Sequence, residues 1–428
     1  MANIEQIKKS MISGALDESF ETIYVKEQIK SQYPRYEAVI DSFAQYFDND
    51  KTREISLFSA PGRSEVSGNH TDHNHGKVLA ASISLDAIAA ACKNDDGIVR
   101  IKSAGYNMDV VDCGELEIVE KEIGKSNSLV RGVIARFKQL GYNIGGFDAT
   151  TASQVLSGSG LSSSAAFEVL VCTMLNHFYN DGKIDPVEIA QISQYAENVY
   201  FGKPCGLLDQ MACSVGGFVT IDFEDPSKPI INKIDFDFAH SGHSLCIVDT
   251  KGSHSDLTDE YVAVRREMEK VAEHFDKTVL REITKDMVME NMGEIIKAHG
   301  ERAAMRALHF FNDNARVEKQ VAALAQGDFE TFKTCVIESG FSSYMYNQNV
   351  YTCKKPTNQP VSLALAVSEE ILKGKGAWRV HGGGFAGTIQ AFVPQESLEV
   401  YIKTMQSIYG DDSCYVLNVR PFGGVRLK

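Results

Sequence analysis

The sequence predicts two domains that combine β-strands with α-helices. The chain has 428 residues, 43% of them apolar, and this length can bury more than one hydrophobic core. Residues 55–155 carry mostly strand-like runs such as "KVLAASISLDAIAAAC", whereas residues 256–340 have helical spacing. This change of pattern places a boundary near residue 225, so we predict one domain over 1–225 and a second over 226–428.

The spacing of apolar residues predicts the elements in chain order. Residues 4–49 predict helices, and the apolar stripe there consists of Tyr36, Val39, Ile40, Phe43 and Phe47. Within the strand-rich part, "LVRGVIARFKQLG" predicts one helix, and residues 163–179, apolar on nearly every face, predict a buried one. After the strands "GFVTIDF" and "HSLCIVDT" the pattern turns to helices, and then alternates helix, strand, helix and strand to the end.

Composition excludes several classes of function. The formal net charge of −14 would repel nucleic acid and anionic lipid, so we expect neither as a partner. No apolar run approaches the ~20 residues that span a membrane, and "MANIEQIKKSMISGALDESF" is too polar for a signal peptide. Nine cysteines without a Cys-x-x-Cys pair suit a reduced compartment. We therefore expect a cytoplasmic protein; a monomer is compatible with the sequence, which leaves the oligomeric state open.

The segment "VLSGSGLSSSAAFEVLVCTML", residues 155–175, joins glycines and serines to an apolar helix. Glycines at 158 and 160 let the backbone turn tightly and approach a ligand. The free N–H groups and the dipole at the start of the helix favour a bound phosphate, and a serine hydroxyl can bind Mg²⁺. No lysine follows, so this is not a Walker A motif. A serine that only caps a core helix is the alternative interpretation.

Two further segments have a composition that suggests a site. "RVHGGGFAGTIQAF", residues 379–392, has four glycines within six residues, which favours a close approach of two backbones or of a backbone and a ligand; a flexible turn is the alternative.

In "AENVYFGKPCGLLDQMACSVGG", residues 196–217, Asp209 has apolar neighbours. It must therefore find a cation or have a raised pKa, unless it caps the following helix. Glu197 lies upstream and is available to hold a divalent ion.

The segment "GRSEVSGNHTDHNHG", residues 62–76, concentrates polar side chains between glycines. It can be a solvated loop, a metal site or one wall of a pocket for a molecule rich in hydroxyl groups. His70, Asp72, His73 and His75 have a spacing that can bind Zn²⁺. The chain supplies no obvious distant ligand to complete such a site.

Read in order, "PGRSEVSGNHTDHNHG", "GSGLSSSAA", "GKPCGLLDQ" and "HGGGFAG" resemble the motifs of the GHMP superfamily of small-molecule kinases. The first motif and "DEYVAVRRE", residues 259–267, resemble the galactokinase branch in particular, and the resemblance runs from about residue 35 to 428. It implies an α+β protein of two domains, with an N-terminal mixed sheet and helices of the ribosomal S5 domain 2-like type and a C-terminal ferredoxin-like domain.

The resemblance also implies a reaction, the ATP-dependent phosphorylation of the C1 hydroxyl of galactose. Asp209 matches the catalytic aspartate, and Arg63 matches the arginine that keeps it ionised. The implied Mg²⁺ ligands are Ser164 and Glu197. The implied nucleotide-binding residues are Gly158, Ser159, Gly160, Leu161, Ser162, Ser163 and Ser164. The implied sugar-binding residues are Asn69, His70, Asp72, Gly206, Tyr261 and Gly383.

The match departs from the family at two positions. Galactokinases usually carry Gly-Arg-x-Asn-x-x-Gly-Glu-His, whereas here Glu65 stands at the Asn position and Asn69 at the Glu position. The family glutamate is expected to accept a hydrogen bond from the sugar C6 hydroxyl. Asn69 can accept and donate but brings no charge, so a uronic acid such as galacturonate or glucuronate is an alternative substrate, with His73 as an added positive charge.

Two other functions are compatible with parts of the pattern. A galactose sensor without activity is one, although the intact "GLSSSAA", Arg63 and Asp209 favour an enzyme. A kinase for mevalonate or homoserine is the other. Those kinases lack the sugar motif that "NHTD" represents here, so the first segment argues against them.

Overall fold

The computed structural model describes residues 2–49, 52–155, 161–253 and 257–428. The α-helices of these stretches are α1 (Ile4–Ile12), α2 (Asp17–Glu21), α3 (Ile29–Phe47), α4 (Ser126–Gln139), α5 (Ser163–Tyr179), α6 (Pro186–Tyr195), α7 (Leu208–Val215), α8 (Thr258–Glu273), α9 (Lys285–Glu290), α10 (Met292–His299), α11 (Glu301–Ala325), α12 (Phe329–Ser342), α13 (Pro360–Leu372) and α14 (Gln395–Tyr409). The strands are β1 (Ala2–Asn3), β2 (Glu54–Ser67), β3 (Lys77–Lys93), β4 (Ile98–Ser103), β5 (Met108–Asp112), β6 (Phe147–Ser153), β7 (Phe218–Asp222), β8 (Ile230–Ile234), β9 (His243–Asp249), β10 (Ala377–His381), β11 (Thr388–Pro394), β12 (Cys414–Leu417) and β13 (Val425–Arg426).

The chain divides into two units, each with its own core. The first consists of Met1–Arg63, Ser82–Gly217 and Arg420–Lys428, and the second of Ser64–Ala81 and Phe218–Val419. Each unit is therefore assembled from stretches that are not consecutive in the chain. The domain boundary near residue 225 stays a prediction.

The first unit contains a mixed sheet. Its strands follow the order β1–β2–β3–β6–β4–β5, in which β4 and β6 run parallel and β3 pairs antiparallel with β6. One hydrophobic core combines side chains of α1, α2 and α3 with Ile55 and Leu57 of β2 and Ile88 of β3. The apolar stripe predicted on the first helical segment is buried in this core along α3, apart from the partly buried Phe47.

The second unit contains a four-stranded antiparallel sheet in the order β10–β11–β9–β12. The chain passes through β9, helices, β10, β11, α14 and β12, which is the β-α-β-β-α-β pattern of a ferredoxin-like domain, with α8 to α13 between the first two strands. Two further antiparallel pairs occur in this unit. Residues 77–81 of β3 pair with β7, and β7 pairs with β8. The predicted α+β class and the ferredoxin-like sheet are confirmed.

Helix α5 has the limits that its composition predicts. Its described residues begin at Ser163 and end at Tyr179, and most of its side chains are buried, including Val169, Leu170 and Leu175. A helix that is apolar all round has to lie within a core, and this burial holds its first turn in place. None of the helices in the described stretches combines the length and the apolar character that crossing a bilayer requires.

Candidate active site

The backbone before α5 turns sharply at Ser162. This residue has φ 59° and ψ 65°, in the left-handed region, and its hydroxyl makes no capping bond to the helix. The Ser162 hydroxyl instead donates to the Asp209 carboxylate. The interpretation of these serines as a simple helix cap therefore does not describe Ser162. Leu161 is buried, Ser163 and Ser164 form the first turn of α5, and the predicted Gly158, Ser159 and Gly160 lie outside the described residues.

Arg63 and Asp209 form an ion pair within the first unit. The Arg63 Nε atom donates to Asp209 Oδ1 at 2.7 Å, although 146 positions separate the two residues. Asp209 lies in the first turn of α7 and caps nothing there, since Leu207 holds the cap position. Burial alone would raise the pKa of Asp209, but the Arg63 guanidinium and the Ser162 hydroxyl outweigh it and hold that pKa below its ordinary value. The carboxylate therefore stays ionised, and 34% of its side chain remains accessible to a ligand.

Glu197 is the centre of a second polar group in the same unit. It lies in a π-helical turn, Ala196–Phe201, and is only 2% exposed. Its Oε1 atom accepts from Ser164 Oγ at 3.1 Å and from Lys203 Nζ at 2.9 Å. Its Oε2 atom accepts from Gln210 Nε2 at 2.6 Å and from Cys205 Sγ at 3.2 Å. The two residues that the sequence assigns to Mg²⁺ are thus in contact.

Glu168 adds a fully buried acid next to this group. Gln210 Nε2 also donates to Glu168 Oε2, at 3.2 Å, and so links it to Glu197. Burial, reinforced by the charge of Glu197, raises the pKa of Glu168 well above its ordinary value. The surroundings of Glu168 therefore favour its protonated form over the carboxylate.

Asn69 lies within the second unit and is fully buried. Its Nδ2 group donates to Glu65 Oε1 at 2.9 Å and to the Gly382 carbonyl at 2.7 Å. Its Oδ1 atom accepts from Asn349 Nδ2 at 2.8 Å and from Ser343 Oγ at 3.2 Å. The two positions that depart from the galactokinase pattern are thus hydrogen-bonded to each other.

The glycine-rich segment 379–392 packs against the sugar motif within this unit. The Gly383 carbonyl is 2.9 Å from His70 Nε2, and the Tyr261 hydroxyl donates to the Gly384 carbonyl at 2.8 Å. A Cβ atom at Gly383 would lie 2.6 Å from the Tyr261 ring, and one at Gly384 would lie 1.9 Å from the Asn349 carbonyl. This close approach explains the glycines better than a flexible turn does.

The histidines of the first motif face different partners. His70 faces the Gly383 carbonyl, whereas His73 Nδ1 is 2.9 Å from Asn74 Nδ2. Burial lowers the pKa of His73 well below its ordinary value, so it brings no positive charge at neutral pH. Across the described stretches, no group of three or more His, Cys, Asp or Glu side chains is arranged to hold a metal ion.

The remaining predicted residues lie close to these groups in sequence. Asp72 is half-buried and starts the short 3₁₀ turn Asp72–Asn74 of the second unit, and Gly206 is exposed in the first unit just before α7. The catalytic and binding roles assigned to all these residues stay predictions.

Sequence reasoning missed several partners of the predicted residues. Lys203 and Gln210 of the first unit both bind Glu197, and both stand within the quoted "GKPCGLLDQ" segment. In the second unit, Arg379 Nη2 is 3.2 Å from Glu65 Oε1 and stands three residues before the glycine cluster. Nothing in the local sequence pairs Arg379 with a residue 314 positions away.

Two parts of the chain match models of known protein families. Residues 41–93 match the family model described as the galactokinase galactose-binding signature, and residues 128–217 match that of the GHMP kinases N terminal domain. Galactokinase from Streptomyces coelicolor is 32% identical over 361 residues, which cover 82% of this chain and 88% of that protein. The chain belongs to the galactokinase family. As a member of this family it is a sugar kinase that uses ATP.

Solved structures support the fold of this galactokinase-family chain. Lactococcus lactis galactokinase complexed with galactose has a TM-score of 0.72 and 24% identity, covering 90% of this chain and 98% of that one. The mevalonate kinase of L. major, in complex with R-mevalonate, has a TM-score of 0.58 and 13% identity, covering 87% and 97%. The GHMP kinase fold is thus shared beyond galactokinases.

Proposed function

We propose that this chain transfers the γ-phosphoryl group of ATP to the C1 hydroxyl of galactose, giving galactose 1-phosphate and ADP. Family membership supports the substrate, and the Arg63–Asp209 pair supports the chemistry. Phosphoryl transfer needs an aligned hydroxyl, a place for its proton and charge compensation at the phosphate. The ionised Asp209 carboxylate can take the proton, and the Arg63 guanidinium, 2.7 Å from it, can compensate charge at the phosphate.

The roles of the two side chains follow from their charges. Asp209 accepts the hydrogen bond of the C1 hydroxyl and takes its proton as the bond between that oxygen and the γ-phosphorus forms. The bond between the γ-phosphorus and the bridging oxygen breaks, and ADP leaves. Arg63 keeps Asp209 ionised beforehand and compensates charge on the transferred group. Ser162 orients the second carboxylate oxygen.

The first turn of α5 is the proposed nucleotide site. A 17-residue helix presents free N–H groups and a positive dipole end at Ser163 and Ser164, which suits the phosphates of ATP. The oxygen atoms of Ser164 and Glu197 lie 3.1 Å apart and are hard donors of the kind that Mg²⁺ prefers. These two residues would hold Mg²⁺, which when bound neutralises phosphate oxygens.

Galactose is favoured over a uronic acid. A uronic acid would be favoured on two premises, that Asn69 leaves this region without a carboxylate and that His73 adds a positive charge. Glu65 Oε1 lies 2.9 Å from Asn69 Nδ2, so a carboxylate is present, and the lowered pKa of His73 leaves this residue neutral at neutral pH. Both premises of that alternative therefore fail.

A substrate panel tests the proposed function. The purified protein is incubated with Mg²⁺-ATP and galactose, galacturonate, glucuronate, N-acetylgalactosamine or arabinose in turn, and ³¹P NMR follows the sugar 1-phosphate. We expect turnover with galactose well above that with either uronic acid. Turnover of the uronic acids alone would disprove the galactose assignment, and galactose binding without any turnover would favour a sensor.

The pH dependence tests the role of Arg63. In Arg63→Gln the cation that holds down the pKa of Asp209 is gone, while burial still raises that pKa. The ionised fraction of Asp209 then falls at a higher pH than in the wild type. We expect a lower kcat/KM whose acid limb lies at higher pH, measured as a pH–rate profile. Arg136→Gln on α4 is the control and should leave the profile unchanged; an unshifted acid limb in Arg63→Gln would contradict the role.

A further inference from the structure

The side chain of Asn69 has no free hydrogen-bonding capacity. Its amide has two N–H donors, both used by Glu65 and the Gly382 carbonyl, and its oxygen accepts from Asn349 and Ser343. The main-chain groups of Asn69 are also bound, the N–H to Asp313 Oδ2 at 3.0 Å and the carbonyl to His309 Nε2 at 2.8 Å. A sugar hydroxyl could bind Asn69 only at the expense of one of these bonds.

Glu65 has the capacity that Asn69 lacks. Its Oε1 atom accepts from both Asn69 Nδ2 and Arg379 Nη2, and Arg379 is fully buried and anchored by the Val66 carbonyl at 2.7 Å. Its Oε2 atom has no partner among the described residues of the chain, and 17% of the side chain is exposed. One oxygen is therefore held rigidly, which leaves the other oriented and accessible.

We propose that Glu65, rather than Asn69, is the residue of the sugar motif that selects a neutral hexose, with its Oε2 atom accepting a hydrogen bond from a sugar hydroxyl. Asn69 and Arg379 act as positioning residues for Glu65. A carboxylate oxygen accepts only, so it favours a hydroxyl and repels a carboxylate on the sugar. This inference rests on the proposed function and assigns its specificity to a position where the family pattern has asparagine.

Glu65→Gln tests the assignment with little change in shape. The donors Asn69 and Arg379 both require an acceptor, so the glutamine oxygen replaces Oε1 and its NH₂ group replaces Oε2. Hydrogen bonds to charged groups of this kind correspond to about tenfold to hundredfold in affinity. We expect the KM for galactose to rise by about that factor, the kcat and the KM for ATP to change far less, and the preference for galactose over galacturonate to fall at least about tenfold.

Failure of the Glu65 assignment can be distinguished from failure of the proposed function. A wild type that binds but does not phosphorylate galactose would refute the proposed function. A wild type active on galactose, together with a Glu65→Gln variant of unchanged KM and unchanged sugar preference, would overturn the inference alone. Glu370→Gln, an exposed glutamate of α13 in the same unit, is the matched control and should behave as the wild type.

A reciprocal exchange keeps the inference testable if a single variant folds poorly. Asn69→Glu alone sets two carboxylates against each other and removes both amide donors, so we expect weaker galactose binding and a lower Tm. Glu65→Asn combined with Asn69→Glu restores one amide and one carboxylate in contact, in the order usual for galactokinases. We expect this double variant to recover galactose binding to within about threefold of the wild type. Additive losses in the double variant would overturn the inference.

Discussion

Asp209→Asn is expected to lower kcat for galactose by about 10²- to 10⁴-fold while ATP binding is retained. Asparagine keeps the shape of the side chain and can still accept from Arg63, but it cannot take the proton of the C1 hydroxyl. The nucleotide site proposed at the start of α5 is not altered by the exchange. The prediction is checked by ³¹P NMR of sugar 1-phosphate formation and by calorimetry of ATP binding.

The control for Asp209→Asn is Asp225→Asn. Asp225 is an exposed residue whose hydrogen bonds are to Ser227 and the local backbone, so its exchange should leave kcat unchanged. Full activity of Asp209→Asn would dismiss Asp209 as the proton acceptor. The ion pair with Arg63 would then be a structural feature of the first unit.

Glu197→Gln is expected to weaken the response to Mg²⁺ by roughly hundredfold. The exchange removes a buried negative charge and sets an NH₂ group against Gln210, Cys205, Ser164 or Lys203, all of which donate to Glu197. Lys203 keeps 60% of its side chain exposed, so losing its partner should cost at most about 1 kcal/mol of folding stability. A Mg²⁺ titration of kcat and of ATP affinity, with thermal unfolding alongside, separates the two effects.

Glu120→Gln is the control for the metal prediction. Glu120 is exposed in the first unit, so the variant should need the same Mg²⁺ concentration as the wild type. A Glu197→Gln variant with an unchanged Mg²⁺ requirement and unchanged ATP affinity would remove Glu197 from the metal site. Loss of folding alone would show in the thermal transition of the variant.

Most elements of the fold could be predicted because their causes are local. Helix α5 was expected over 163–179 from its continuous apolar surface and has those limits. The strands that pair in the first unit carry the β-branched runs that indicated them, such as "GIVRI" in β4. Residues 4–49, where the spacing predicts helices, form three α-helices in the described stretches, and the break between α1 and α2 falls where Gly14 takes φ 76°.

The contacts of the candidate site were only partly accessible to sequence reasoning. The approach of Arg63 to Asp209 was expected from the family resemblance and is a contact of 2.7 Å. The bond from Ser162 to Asp209 depends on a left-handed backbone at a serine, which no local propensity favours. The contact of Glu65 with Arg379 depends on long-range assembly of the second unit, so it could not be derived from neighbouring residues.

A crystal structure with galactose and a non-hydrolysable ATP analogue tests the central claim most directly. We expect the C1 oxygen of galactose within about 3 Å of the Asp209 carboxylate, with the Arg63 pair intact and the phosphates at the first turn of α5. A galactose bound with C1 away from Asp209, or with another hydroxyl in that place, would contradict it.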